Sequence, residues 1–322
     1  MKFSENYVEA REHFIQAAEN AGFRVSRFRV PYEESPDLFI DLALLRRNPK
    51  SLLLHISGVH GVEGYAGSAV QEAILSETFT AEGPSILLVH ALNPFGMAFF
   101  RRNNGENVDL NRNFILDRSK VKNPNYRFFH SYLNPNNRWQ YYFGLLQAWI
   151  HFKRLGLSES SAAIAKGQKD FPGLFYAGER TQREISLLLD YLKNNFKDVE
   201  TVFGLDVHTG LGEFAQESLF VNEAQEPKGT KYFDSVFQRS IDIEDPAKGL
   251  YTNIGPLSDA IRSLFPKAQV HFVVQEFGTY PAIHTLGALR KQNLVWKTPK
   301  EDSAVLGSPF SAQPWEPPSA NS

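Results

Sequence analysis

The sequence predicts an α/β fold: a mixed, mostly parallel sheet covered by helices on both faces. Short apolar runs of strand character alternate with longer segments of helical spacing, the pattern of a sheet wrapped by its own connections. Several runs are apolar at consecutive positions, so both faces of those strands need cover. With 322 residues, 42% hydrophobic and 13% aromatic, the chain can bury a sizeable core.

The elements follow in order. Between residues 5 and 22, Tyr7, Val8, Phe14, Ile15 and Ala18 fall at helical spacing and stop before Gly22, predicting an amphipathic opening helix. Strands are expected at Leu38–Leu45, Leu52–Ser57, Ile86–Leu92, Val202–Val207, Leu219–Asn222 and Val270–Phe277. Helices are expected at Gly67–Glu77, Gln140–Arg154, Glu179–Asn195, Lys231–Ser240, Leu257–Phe265 and Thr285–Asn293. Residues 123–177 crowd aromatic side chains among polar ones, which reads either as an insertion walling a cleft or as a helical pair packed on the core. Residues 1–297 are therefore expected to form one domain carrying that insertion. The Pro- and Ser-rich residues 298–322 are expected to be an extended tail.

Composition narrows the function. A net charge of -2 and a pI near 6.5 leave no broad basic surface for nucleic acid. There is no cysteine, so any metal must sit on His, Asp or Glu. Charged residues interrupt the first fourteen positions, unlike a signal peptide, and no apolar run could span a bilayer. A cytoplasmic protein without a membrane partner is the expectation, and oligomeric state is left open.

In α/β sheets, ligands gather beyond the carboxyl ends of strands, and that is where the chemistry-bearing residues fall. His60 and Glu63 occupy a loop bounded by Gly58, Gly61 and Gly64, where sharp turns could aim both side chains at one cation. Alone the pair has an ordinary reading, a turn histidine beside a helix-start glutamate. His208 adds weight, because it too leaves an apolar run into a turn, at Thr209-Gly210. Two histidines and a carboxylate leave the fourth position of a tetrahedral zinc for water. Asp206 either orients His208 or faces the other way.

Glu276 ends a strand with Val270, Phe272 and Val274 on one face. A carboxyl against such walls has a raised pKa and suits a general base; its ordinary alternative is a strand-end salt bridge. Arg101, Arg102 and Arg112 offer guanidinium groups for a carboxylate or a developing oxyanion, unless Asp109 and Arg112 merely pair across a turn. His90 and His284 are the remaining histidines placed near the rim.

Taken in order, His60-x-x-Glu63, Asn93-Pro94-x-Gly96, Asp109-Leu110-Asn111-Arg112-Asn113-Phe114, His208 and Glu276 resemble the zinc metallocarboxypeptidase superfamily of carboxypeptidase A. The short spacing from Arg102 to Asn111-Arg112 is more like its aspartoacylase and succinylglutamate desuccinylase branch, or an uncharacterised bacterial branch beside it. The resemblance covers roughly residues 50 to 280. It implies a three-layer sandwich, Zn2+ on His60, Glu63 and His208, and Glu276 as base. It also implies that Arg102, or else Arg101, polarises the scissile carbonyl. Asn111 with Arg112 would hold the substrate carboxylate, helped by Tyr251 or, alternatively, Tyr280. The expected activity is hydrolysis of an amide bond next to a free carboxylate, in a small peptide or an N-acyl amino acid. A catalytically silent binding protein on this fold is the remaining alternative. The absence of cysteines and the unfamiliar 123–177 region depart from the secreted digestive enzymes and bear on the substrate more than on the chemistry.

Overall fold

The computed structural model describes residues 3–32, 37–221, 230–238, 242–243 and 253–297. Eight strands form one sheet: β1 (Arg24–Val30), β2 (Leu38–Leu45), β3 (Asn48–Ile56), β4 (Pro84–His90), β5 (Thr201–Gly210), β6 (Glu217–Val221), β7 (Asp242–Ile243) and β8 (Gln269–Gly278). The first helices are α1 (Tyr7–Asn20), α2 (Gly64–Leu75), α3 (Pro94–Ala98), α4 (His130–Leu133) and α5 (Arg138–Leu155). They are followed by α6 (Leu157–Ala165), α7 (Arg183–Asn195), α8 (Thr230–Phe237), α9 (Leu257–Leu264) and α10 (Ala282–Lys297).

The strand order is β1-β2-β4-β3-β5-β8-β6-β7. The central run β4-β3-β5-β8 is parallel, β1, β2 and β6 join antiparallel to their inner neighbours, and β7 runs parallel to β6, giving the mixed sheet that the apolar runs predict. One face packs Leu42, Leu54, Val202 and Phe272 against Ile185 and Leu188 of α7 and Ile261 of α9. The other packs Ala43 and Leu88 against Phe14 of α1 and Leu75 of α2. Helices on both faces make the α/β sandwich of three layers.

Local chemistry explains the boundaries. Asn6 caps α1 by accepting from the Glu9 amide at 3.0 Å, which starts the helix at Tyr7. The residues of β2 coincide with the expected run, and β3 to β6 and β8 differ from theirs at the ends. β1 was not among the expected strands because three of its seven residues, Arg24, Arg27 and Arg29, are basic. It is the sheet's edge, where charged side chains discourage further pairing. β5 also outlasts its expected end at Val207 and runs through Gly210, so His208 lies in the strand and not in a turn after it.

Residues 123–177 are largely helical, with α4, α5 and α6 around a second core of Tyr126, Phe129, Leu133, Ala148 and Ile164. Leu286 and Leu289 of α10 pack against that core. The same region reaches the cleft, since the Phe175 ring lies 5.3 Å from the Arg102 guanidinium.

Candidate metal centre

β3, β5 and β8 are neighbours, and all three point their carboxyl ends at one rim. β3 runs out at Ile56, and the chain turns at Gly58, whose φ of 69° belongs to the left-handed region, before presenting His60. A 3-10 turn, Gly61–Glu63, then brings Glu63 round to the same side. The turn is tied to the segment after α3: Val62 N–H donates to the Arg101 carbonyl at 2.9 Å and Gly61 N–H to that of Arg102 at 3.3 Å. Asn93 caps α3 through the Gly96 amide at 2.8 Å and also donates to the Arg102 carbonyl at 3.0 Å.

Gly61 is where two backbones meet. A Cβ there would lie 2.0 Å from the carbonyl carbon of Gly96. Gly61→Ala is accordingly expected to cost about 2 kcal/mol or more through forced backbone movement, read as a lower Tm together with weaker metal uptake.

The structure brings His60, Glu63 and His208 together, each offering a ligand atom within 4.8 Å of the others. His60 Nδ1 is 3.0 Å from Glu63 Oε1, and His208 Nδ1 is 3.1 Å from Glu63 Oε2. The two Nδ1 atoms are 3.1 Å apart. On the far side of each ring, Nε2 meets an aspartate: Asp109 at 3.2 Å for His60 and Asp206 at 2.9 Å for His208. A carboxylate accepts, so the proton of each neutral imidazole belongs on Nε2, and both Nδ1 lone pairs are left facing one point beside a carboxylate. Two bare lone pairs would repel at that distance, so the spot calls for positive charge: a proton on His208 Nδ1 shared with Glu63, or a divalent metal, which this donor set fits.

Electrostatics agree. Burial alone would raise Glu63, but the two imidazoles outweigh it and hold its carboxyl well below the usual range. Burial opposes charge on His208, yet Asp206 and Glu63 raise its pKa well above the ordinary value. Asp109 is likewise held far down despite burial, chiefly by Arg102 and then by His60. Fixed negative charge concentrated on two histidines is a setting for a cation. Asp206→Asn is expected to weaken metal affinity about 10- to 100-fold by loosening the His208 ring, a change that a competition titration against a chromophoric chelator would measure.

Glu276 stands beside this cluster because the parallel register pairs it with His208 across β5 and β8. It is buried, and its Oε1 accepts from the Leu211 amide at 2.8 Å. Burial first, and the Glu63 charge next among the raising influences, push its pKa up to about 7. Arg102 flanks the cluster opposite Phe175, with Nε 3.0 Å from Asp109 Oδ2 and Nη1 3.6 Å from Glu63 Oε1.

Other expected residues sit differently. Arg101 is buried with its guanidinium 3.9 Å over the Trp296 ring and bonded to Asn107, turned away from the cluster. Arg112 acts on Asp109 through its charge. Its Nε and Nη2 donate to the Ala165 carbonyl at 3.1 and 2.8 Å, and Nη1 to that of Asn111 at 2.9 Å. Asn111 lines a small cavity of mixed character with Asp206 and Ser258 on one hand and Leu257, Phe272 and Val274 on the other. Tyr280 is exposed, its ring 6.3 Å from that of Phe214, and Tyr251 lies outside the described residues. His90 is a core residue stacked on Phe14, and His284 is exposed. The sequence reading missed the pairing of Asp109 with His60 and the main-chain grips on the carboxylates, among them Thr209 N–H on Glu63 at 3.0 Å. Asp109 carried a signal, as an acid inside a motif already singled out; the amides carried none.

The profile of the protein family of unknown function DUF2817 matches residues 3–309. The chain belongs to that family. A search of curated proteins returns no match. Among solved structures, a candidate metallopeptidase from Shewanella baltica OS155 shares 16% identity over 90% of each chain, with a TM-score of 0.48. Thrombin activatable fibrinolysis inhibitor shares 11% identity, covers 95% of this chain and 78% of its own, and has a TM-score of 0.50. Succinylglutamate desuccinylase from Chromobacterium violaceum shares 13%, covers 91% and 73%, and has a TM-score of 0.41. At such identities the likeness is one of fold. That fold is carboxypeptidase-like.

Proposed function

We propose that this member of DUF2817 is a zinc-dependent hydrolase cleaving an amide bond next to a free carboxylate, most simply a carboxypeptidase acting on a peptide or a small peptide-like metabolite. The observation that carries the reading is the meeting of His60, Glu63 and His208 beside a buried Glu276 whose pKa is pushed up to about 7. Two imidazole nitrogens and one carboxylate oxygen suit zinc, with room left for water and substrate. Bound there, zinc would supply Lewis acidity toward the scissile carbonyl and lower the pKa of water.

The protein's own groups would do the rest. Glu276 takes a proton from the attacking water and returns it to the departing amine nitrogen, for which a pKa near neutrality is apt. Arg102, held by Asp109, offers its remaining N–H groups to the carbonyl oxygen as negative charge develops. Asn111 and Arg112 are assigned to the substrate carboxylate. With three N–H groups of Arg112 already on main-chain carbonyls, its contribution is positive potential more than a two-pronged grip. By the same resemblance Tyr251 or, alternatively, Tyr280 is assigned to the substrate.

Metal analysis of purified protein, followed by a panel of C-terminally free and C-terminally amidated peptides alongside N-acyl amino acids, tests the proposal. One zinc per chain and hydrolysis only beside a free carboxylate is the expected result. Preference for acyl amino acids over every peptide would move the activity to the deacylase reading. Absence of hydrolysis by the zinc-loaded protein would leave the silent binding protein.

A further inference from the structure

α5 is built inside out. Its small residues, Gly144 and Ala148, face the second core, while Trp139, Tyr142, Phe143, Leu146, Trp149 and Ile150 are 73, 54, 63, 61, 58 and 50% exposed. These six recur at intervals of three and four residues, so they form one continuous stripe on a five-turn helix. Together they expose on the order of 700 Å² of mostly apolar surface, more than a soluble monomer ordinarily leaves open. A helix covering a soluble core does the reverse, with large apolar residues inward.

Charge identifies what would cover the stripe. α5 contains Arg138, Lys153 and Arg154 and no acid. Residues 118–169 hold nine Lys and Arg against one acid, Glu159, within a chain whose net charge is only -2. The cations lie along the aromatic face itself: Arg138 is 6.0 Å from the Tyr142 ring and Lys153 5.8 Å from the Trp149 ring. Two copies of α5 set face to face would oppose its like charges, Arg138, Lys153 and Arg154, with no acid on the helix to offset them, whereas an anionic surface neutralises them. Trp and Tyr with flanking cations are also what the headgroup layer of a bilayer favours, rings at the apolar boundary and ammonium or guanidinium groups at phosphate level.

We infer that α5 docks the protein in plane on an anionic lipid bilayer, its Trp139–Ile150 stripe sunk into the interface. The inference stands apart from the proposed hydrolysis. It revises the expectation of no membrane partner, which rested on the lack of a spanning segment. No helix among the described residues is long and apolar enough to cross a membrane, and a peripheral helix needs none.

The test is sedimentation of the full chain with vesicles of phosphatidylcholine alone or containing about 30% phosphatidylglycerol, a composition chosen to give a negative surface potential, with tryptophan emission followed in parallel. Expected are capture by the anionic vesicles, a blue shift, and weakening by salt. Trp139→Ser with Trp149→Ser is expected to lower the partition coefficient at least about tenfold. Arg138→Gln, Lys153→Gln and Arg154→Gln together should abolish the preference for phosphatidylglycerol. Both variants alter only exposed positions, and unchanged circular dichroism and metal content would establish that they fold. Wild-type protein left in the supernatant at every lipid concentration, or folded variants that bind as well as wild type, would overturn the inference. So would a dimer that ignores vesicles and falls apart in the double Trp variant, since the stripe would then be a self-association face.

Discussion

Stripping the metal with a strong chelator is expected to abolish hydrolysis completely and to lower Tm by about 6 °C, both recovered by adding zinc. The activity loss follows from the proposed chemistry, in which Glu276 and Arg102 assist but the metal supplies the Lewis acidity that makes water acidic enough to give up its proton near neutral pH. The stability loss follows from the geometry. His60 and His208 bring their Nδ1 atoms to 3.1 Å and share Glu63, an arrangement that a divalent cation ties together at three points and that a proton on His208 ties at one. A ligand present at a thousand times its dissociation constant stabilises the folded state by about 4 kcal/mol. In a chain of this size that corresponds to the shift given above. Calorimetry with and without chelator, paired with a hydrolysis assay, measures both effects. A metal-free protein with unchanged Tm and full turnover would remove the metal centre from the account.

How much of this was legible beforehand depended on where strand periodicity could be followed. The run Leu38–Leu45 gave its strand residue for residue, since nothing but apolar side chains and Asp41 interrupts it. β1 escaped notice because an edge strand with three arginines in seven residues does not look like a buried one. The relation between Asp206 and His208 turned on a few residues. With the strand ending at Val207, the direction of the next side chain is undetermined. Once β5 runs through Gly210, positions two apart must share a face, and Asp206 Oδ2 comes to 2.9 Å from His208 Nε2. The pairing of His208 with Glu276 depends on strand order and register, which no local pattern encodes. Arg112 illustrates the converse. Beside its assignment to a substrate carboxylate, the ordinary alternative for its motif was a pairing with Asp109 across a turn; the carbonyl of Ala165, far along the chain, takes its guanidinium, and Arg102 takes Asp109.

Glu276→Gln is expected to reduce kcat at least about a thousandfold, within the range that positioned proton transfer contributes, while leaving zinc content and KM nearly unchanged. Gln keeps an acceptor for the Leu211 amide and nearly the same volume but cannot take up a proton. Glu276 in the metal-free protein titrates at about 7 against an ordinary 4.5, because burial and the nearby Glu63 charge disfavour its ionised form. A general base must be ionised, so activity should fall as pH drops through that value, and a bound divalent cation beside it moves the midpoint of this acid limb lower. Stability has the opposite sign. A carboxyl whose pKa is higher in the folded than in the unfolded chain contributes fully below pH 4.5, and that contribution is lost as pH rises from 4.5 through 7. The loss amounts to up to about 3 kcal/mol at pH 8. The metal-free Gln variant should therefore be more stable than metal-free wild type at pH 8 and close to it near pH 4.5. Denaturant unfolding at the two pH values, together with the kcat profile, would separate a poised base from a strand-end glutamate of purely structural role. A structural glutamate replaced by Gln would leave kcat within a few fold and remove no acid limb.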